Sequence, residues 1–188
     1  LADGFIGTMM EPVEFPEPKS NEEIAALKAA KADWLPTGNK GKKHLVFFKE
    51  DIPVQNRHDA EMYERWKKDE VEVEEYLTTD AELILTAFGT SARICKSAVD
   101  LLRDEGYKVG LIRPIKVNPF PTESFEKLDY SKVRGILSVE MSVPALFAVD
   151  VANAVHGRTP IETCLTSGGI IIDRDDVLDA ARKLYGNK

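Results

Sequence analysis

Asp80 to Pro121 reads DAELILTAFGTSARICKSAVDLLRDEGYKVGLIRPIKVNPFP, and this stretch decides the fold. It opens on an apolar run, Glu82-Leu83-Ile84-Leu85-Thr86-Ala87-Phe88, with the length and composition of a strand buried on both faces. Gly89 ends the run, and the hydroxyls of Thr90 and Ser91 stand where they can cap a following helix. In that helix Ile94, Ala98, Leu101 and Leu102 recur at helical spacing, with Arg93, Lys96, Asp100 and Arg103 on the other side. Gly106 stops it, and Lys108 to Ile112 is a second buried strand. Strand, helix and strand with short joints predict a right-handed βαβ unit. A helix N-terminus opened by the turn at Gly89 can hold an anion. With one glycine and neither G-x-G-x-x-G nor G-x-x-x-x-G-K-[ST], Thr90 and Ser91 are better read as satisfying the helix's own N–H groups.

Downstream, Arg113-Pro114 and Asn118-Pro119-Phe120-Pro121 make a rigid, partly extended loop. Arg134 to Glu140 is a third buried strand, and Pro144 to His156 a helix with Leu146, Val149, Ala152 and Val155 inward, ended by Gly157. Ile161 to Leu165 is a fourth strand, Ser167-Gly168-Gly169 a turn, and Arg174 to Tyr185 the last helix. Asp173, Asp175 and Asp176 sit where a helix N-terminus favours negative charge, which explains them without catalysis. The alternation predicts an α/β fold, a three-layer α/β/α sandwich with a mainly parallel sheet.

Upstream the chain is less regular. Pro12, Pro16 and Pro18 forbid a helix, so the start is an extended arm whose Phe5, Ile6, Met9, Met10, Val13 and Phe15 are expected against the α/β body or a neighbouring copy. Asn21 can cap a short helix from Glu22 to Lys31. His44 to Phe48 has the pattern of a strand, and His58 to Lys68 is a second helix with Met62, Tyr63 and Trp66 for packing. The domain boundary is placed at residue 80: 1–79 is arm and linker with short helices, and 80–188 the α/β domain. Charge follows the same division. Of a formal net charge of −7, residues 1–79 carry −6 and the remainder −1.

The chain's 188 residues suffice for one domain with a core plus an appendage. With 43% apolar and 30% charged residues it has the balance of a globular protein. No apolar run approaches a membrane span and no signal-peptide pattern appears, so a cytoplasmic location is expected. No basic patch for nucleic acid is present. Cys95 and Cys164 are expected as buried core thiols; two cysteines without C-x-x-C do not make a cluster site. His44, His58 and His156 are scattered, with no metal-ligand spacing, and no Ser/His/Asp set is readable. Glu140, at the carboxyl end of a strand, is the best-placed ionisable residue, because ligands of open α/β sheets collect there. The competing and favoured reading is that it accepts hydrogen bonds from the following turn or from a partner chain.

Taken together, several runs resemble the C-terminal, transketolase C-terminal-like domain of the alpha subunit of 2-oxoacid:ferredoxin oxidoreductases. They are Asp80-Ala81-Glu82, Phe88-Gly89-Thr90-Ser91-Ala92-Arg93, Gly106-Tyr107-Lys108-Val109-Gly110-Leu111-Ile112-Arg113-Pro114-Ile115, Asn118-Pro119-Phe120-Pro121, Val139-Glu140-Met141 and Gly168-Gly169. The opening, Asp3-Gly4-Phe5-Ile6-Gly7-Thr8-Met9-Met10-Glu11-Pro12-Val13-Glu14-Phe15, is most similar to the 2-ketoisovalerate type. The resemblance implies oxidative decarboxylation of a branched-chain 2-oxoacid to its acyl-CoA with reduction of ferredoxin, by an enzyme that uses thiamine diphosphate, Mg and iron–sulfur clusters. It implies that the thiamine is held by a preceding domain and another subunit, which the abrupt start at Leu1 fits. No catalytic, cofactor-binding or metal residue is therefore expected on this chain, and its partners are expected to be the other subunits and further copies of itself. The expected interface is the carboxyl-end rim of the sheet: Gly89, Thr90, Ser91, Arg93, Arg113, Pro119, Phe120, Glu140 and Met141. Two alternatives stay open: the same domain of another thiamine enzyme (a transketolase or a 2-oxoacid dehydrogenase beta chain), and a stand-alone flavodoxin-like module binding a nucleotide at the Gly89 turn.

Overall fold

The structure, a computed structural model, describes residues 14–30 and 51–186. The arm up to Val13 and the proposed strand from His44 to Phe48 lie outside the described residues. The chain divides into two compact units, with a boundary between Met62 and Tyr63. That boundary falls inside a helix.

The first unit contributes helix α1 (Asn21–Ala30) and the beginning of α2 (Ile52–Asp69). Ser20, not Asn21, caps α1. Its Oγ accepts the Glu23 N–H at 3.2 Å, and the Glu23 carboxylate accepts the Ser20 N–H at 2.7 Å. This reciprocal pair satisfies two donors that a helix start leaves open. Phe15, expected to be packed, is 88% exposed, so the described end of the arm does not bury this ring within the chain.

In the second unit five strands form one sheet: β1 (Val73–Tyr76), β2 (Leu83–Thr86), β3 (Val109–Pro114), β4 (Gly135–Glu140) and β5 (Ile161–Leu165), in the order β1-β3-β2-β4-β5. β2, β3, β4 and β5 run parallel; β1 is antiparallel to β3. Between the strands lie α3 (Gly89–Asp104), the short α4 (Thr122–Glu126) and α5 (Phe147–Val155), and α6 (Arg174–Gly186) follows β5. Alternation along the strands assigns the layers. Leu83, Leu85, Leu111, Leu137 and Val139 pack with α3 and α6, while Ile84, Ile112 and Ile136 pack with Phe125 of α4 and Phe147 and Val151 of α5. Both faces are covered, which is why the central strands read as unbroken apolar runs.

Several expectations are corrected. β1 lies upstream of residue 80, where the α/β domain was expected to begin, and its half-exposed sequence Val-Glu-Glu-Tyr carries no buried-strand pattern. α3 fastens it. Lys96 and Arg113 both pair with Glu74, Arg113 directly across the strand pair and at 3.1 Å, and the Tyr76 hydroxyl donates to Asp100 at 2.6 Å. Both cations hold the Glu74 carboxyl below its ordinary pKa, Lys96 most strongly. In α5 the inward residues are Phe147, Val151, Ala154 and Val155, whereas Leu146, Val149 and Ala152 face out. The helix begins at Phe147 rather than Pro144, and with apolar residues on both sides periodicity alone does not choose the buried face. Thr90 and Ser91 do not stand at the N-cap: they are buried inside the first turn of α3, whose N-cap is Phe88. Cys95 is buried, but Cys164 is only half-buried.

Candidate functional site

In an open parallel sheet the position where a ligand collects is the carboxyl rim, between strands whose connections leave in opposite directions. Here that position lies at the ends of β2 and β4, since β2 leads through α3 toward β3 while β4 leads through α5 toward β5. The chain's own side chains fill it. Phe88, just past β2, meets Phe147 at the start of α5 edge-on at 5.2 Å. Phe120 stacks on Phe125 at 5.5 Å and leans on Phe147 at 5.8 Å. Such pairs add about 0.5–1.5 kcal/mol each to the apolar burial.

Glu140 closes the other side of this position. It is 2% exposed, and its carboxylate accepts the N–H groups of Leu146 and Phe147, both at 2.8 Å, and of Ala148 at 3.1 Å, together with the Ser142 hydroxyl at 2.6 Å. These are the open donors of α5's first turn, and Leu146 at its N-cap brings no side-chain acceptor. Burial pushes the Glu140 carboxyl up, but the Ser142 hydroxyl and the three N–H groups outweigh it and hold the pKa below the ordinary value. A glutamate so bound is a structural cap and is not free to move protons. The sequence-level reading that it serves the following turn describes its geometry; its place among interface residues does not follow from its contacts.

The rest of the expected rim divides the same way. Thr90, Ser91 and Pro119 are buried, and Phe120 is half-buried in the aromatic cluster. Gly89, Arg93, Arg113 and Met141 are half-exposed, and Arg113 is tied to Glu74. The residues that face outward are others. Ile115 beyond β3, Val143 and Leu146 beyond β4, Val149 in the first turn of α5 and Ile170 beyond β5 are each 57–67% exposed. With Phe88 beyond β2 and Ile171 beside Ile170, they put apolar side chains past the carboxyl end of every parallel strand. Sequence reasoning assigned Leu146 and Val149 to the core, ran Phe88 into the buried strand, and did not single out the others as outward-facing; apolar residues placed directly after a strand end were the available signal.

Two clefts lie in this unit, and the smaller is at the opposite, amino end of the parallel strands. One of about 720 Å³ lies between Tyr63, Lys67 and Lys68 on α2 and Phe120, Glu123 and Glu126 beyond β3. A smaller one of about 240 Å³, near Glu75, Lys127, Asp129 and Lys132, is lined by paired charges, with Lys127–Glu75 at 2.8 Å and Lys132–Asp129 at 2.6 Å. Among the described residues no three His, Cys, Asp or Glu side chains converge as metal ligands. Nor is any described helix long and apolar enough to cross a membrane. Cys95 is a poor nucleophile, because burial raises its thiol far above the ordinary value; burial, and then Asp176, raise Cys164 as well.

Fold and rim thus define an α/β domain whose ligand position is closed by its own residues and whose outward rim is apolar. The family model for pyruvate:ferredoxin oxidoreductase core domain II matches residues 81–177, and the chain belongs to that family. It is 35% identical, along all of its length, to ketoisovalerate oxidoreductase subunit VorB of Methanothermobacter thermautotrophicus, and it spans about half, 52%, of that relative. Among solved structures, a 2-oxoglutarate:ferredoxin oxidoreductase from Magnetococcus marinus, with 2-oxoglutarate, coenzyme A and succinyl-CoA bound, superposes with a TM-score of 0.59 at 13% identity, over 79% of this chain and 28% of that one. A split gene transketolase, an inactive beta4 tetramer, superposes with a TM-score of 0.52 at 16% identity, over 61% of this chain and 41% of that one. At these identities the likeness is one of fold, and it is the transketolase C-terminal-like fold expected from the sequence.

Proposed function

We propose that this chain is the assembly domain of the alpha-type subunit of a 2-oxoacid:ferredoxin oxidoreductase whose substrate is a branched-chain 2-oxoacid such as 2-ketoisovalerate. The observation that carries the assembly role is the apolar row Ile115, Phe88, Val143, Leu146 and Ile170 past the carboxyl ends of the strands, beside a ligand position filled by Phe88, Phe147 and Glu140. An apolar row is surface for other protein; a small-molecule pocket needs convergent polar groups, and here the polar groups are spent on the chain's own backbone. The similarity of the whole of this chain to about half of a ketoisovalerate oxidoreductase subunit supports the substrate class. Thiamine diphosphate, Mg and iron–sulfur clusters supply the carbanion and electron-transfer chemistry in such an enzyme. The described residues do not fit them: no acidic set is free for a metal–diphosphate, and the chain's two cysteines are fewer than a cluster needs. In this reading those groups sit in other parts of the complete enzyme, and ferredoxin and coenzyme A act there. The same filling of the rim weighs against a nucleotide at the Gly89 turn.

Leu146→Asp with Val149→Asp in the complete enzyme tests the role. Each puts a charge on an apolar contact that is worth about 1.5–3 kcal/mol when buried, so assembly measured by sedimentation should weaken at least tenfold. The KM for the oxoacid should hold in whatever complex still forms. Undiminished assembly with a KM raised tenfold makes the rim a substrate site and overturns the proposal.

A further inference from the structure

The sheet ends at β5, whose outer edge is unpaired among the described residues. Two hydrogen bonds fix which of its backbone groups are spent. The Pro160 carbonyl accepts the Ile136 N–H at 2.9 Å, and the Thr166 N–H donates to the Glu140 carbonyl at 3.2 Å. Residues 160, 162, 164 and 166 therefore face β4, and the N–H and C=O groups of Ile161, Thr163 and Leu165 face outward. Glu162 and Thr163 are exposed, so the edge is accessible at its centre. β5 has no lysine, no proline within the strand and no bulge in its pairing with β4; the one charge on it is the exposed Glu162.

From this edge we infer that β5 pairs antiparallel with β5 of a second copy of the chain, about a two-fold axis through Thr163. Ile-Glu-Thr-Cys-Leu is self-complementary about its centre. With Thr163 opposite its own mate, Ile161 faces Leu165 of the second copy and Leu165 faces its Ile161. All three outward residues then lie in hydrogen-bonded pairs, with a Thr–Thr pair on the axis and an apolar pair on either side. Glu162 stands directly opposite Cys164, with the other Glu162 at the diagonal position, about 7–8 Å off. Moving the axis by half a step toward Ile161 leaves Leu165 unpaired and brings Glu162 against Glu162, a like-charge pair that destabilises a ladder. The opposite half-step leaves Ile161 unpaired. One register therefore uses the whole edge without opposing charges. It produces a continuous ten-stranded sheet from two five-stranded ones. The α5 helices of the two copies, each with Val149 exposed, lie on the same face of it.

The test uses the 188-residue chain as it stands. Sedimentation velocity is expected to show a dimer at micromolar concentration. Thr163→Pro removes an outward N–H and no bond to β4, so it should give monomers with an unchanged far-UV spectrum. Cysteine pairing reads the register directly in a Cys164→Ser background, with Cys95 left buried. Residues in a hydrogen-bonded antiparallel pair lie about 5.5 Å apart between Cα atoms, inside the disulfide range, so Thr163→Cys should cross-link to its mate under mild oxidation. Leu165→Cys should not, because four residues of strand separate it from its own mate by about 13 Å. A monomeric parent chain overturns the inference. So does equal cross-linking at 163 and 165, which signals chance collision or another register. A dimer that survives Thr163→Pro but is lost in Leu146→Asp with Val149→Asp would assign association to the rim and leave the edge without its partner. These outcomes are independent of whether the complete enzyme oxidises a 2-oxoacid.

Discussion

Removing the charge of Glu140 while keeping its shape should cost the domain about 3 kcal/mol. In Glu140→Gln one side-chain oxygen can still accept, but the amide brings two hydrogens into a site already occupied by three N–H donors and two hydroxyls. Hydrogen bonds to a charged group contribute roughly 1.5–3 kcal/mol against about 1 for neutral ones, and a carboxylate at a helix N-terminus adds about 0.3–1. Losing the charge on two 2.8 Å bonds and leaving one donor unpaired therefore comes to about 3 kcal/mol. With a urea m-value of about 2 kcal/mol/M the midpoint should fall by about 1.5 M at pH 7. Acidity should act through the same group. The folded carboxyl titrates below the ordinary value, so the unfolded chain binds its proton first as pH falls. Its contribution is complete above the unfolded pKa, near pH 5 and higher, and is lost as pH drops through the lower folded value. The parent should thus lose stability faster than Glu140→Gln below about pH 5, and the two curves should converge. Urea titrations followed by far-UV circular dichroism at several pH values measure both effects. A midpoint within about 0.3 M of the parent at pH 7, with parallel pH curves, would refute the cap as the reason for a buried carboxylate.

Phe120→Ala should lower chain stability by about 2 kcal/mol, less than the 3–5 of a fully buried phenylalanine, because the half-buried ring loses contact with Phe125 and Phe147. Chemical denaturation measures it, and an unchanged midpoint would mean that the ring is held from outside the chain. Gly110→Ala should destabilise the domain by about 1–3 kcal/mol, since the added Cβ would lie 2.6 Å from the Leu77 carbonyl oxygen and 3.0 Å from its carbon, both backbone atoms with little room to give. A melting temperature equal to the parent's would show that the Leu77 turn moves aside freely.

What the sequence revealed, and what it hid, follows the range of the interactions. The runs at β2, β3 and β4 are short, mainly apolar stretches, and they were legible because burial on both faces leaves no other pattern. Gly106 marked the end of α3 through a backbone requirement, φ of +91°, that a residue with a side chain seldom meets. β1 was not legible. Its stability comes from Lys96 and Arg113, 22 and 39 residues away from Glu74, and an edge strand with exposed glutamates looks like linker. The aromatic cluster was equally hidden, because Phe88, Phe120 and Phe147 belong to three separate connections that meet only once the sheet is ordered.

The inward turn of Glu140 and the outward turn of Leu146 have one cause. α5 starts at Phe147, so that Phe147 enters the aromatic cluster and the N–H groups of residues 146–148 converge on the carboxylate from β4. In this phase Val151 and Val155 are buried and Leu146 and Val149 point out. Had the helix begun at Pro144 with Leu146 and Val149 inward, Phe147 would have left the core, a loss of about 3 kcal/mol or more. The exposed apolar residues are thus a consequence of the better-buried phenylalanine. Their exposure has a cost only while nothing covers them.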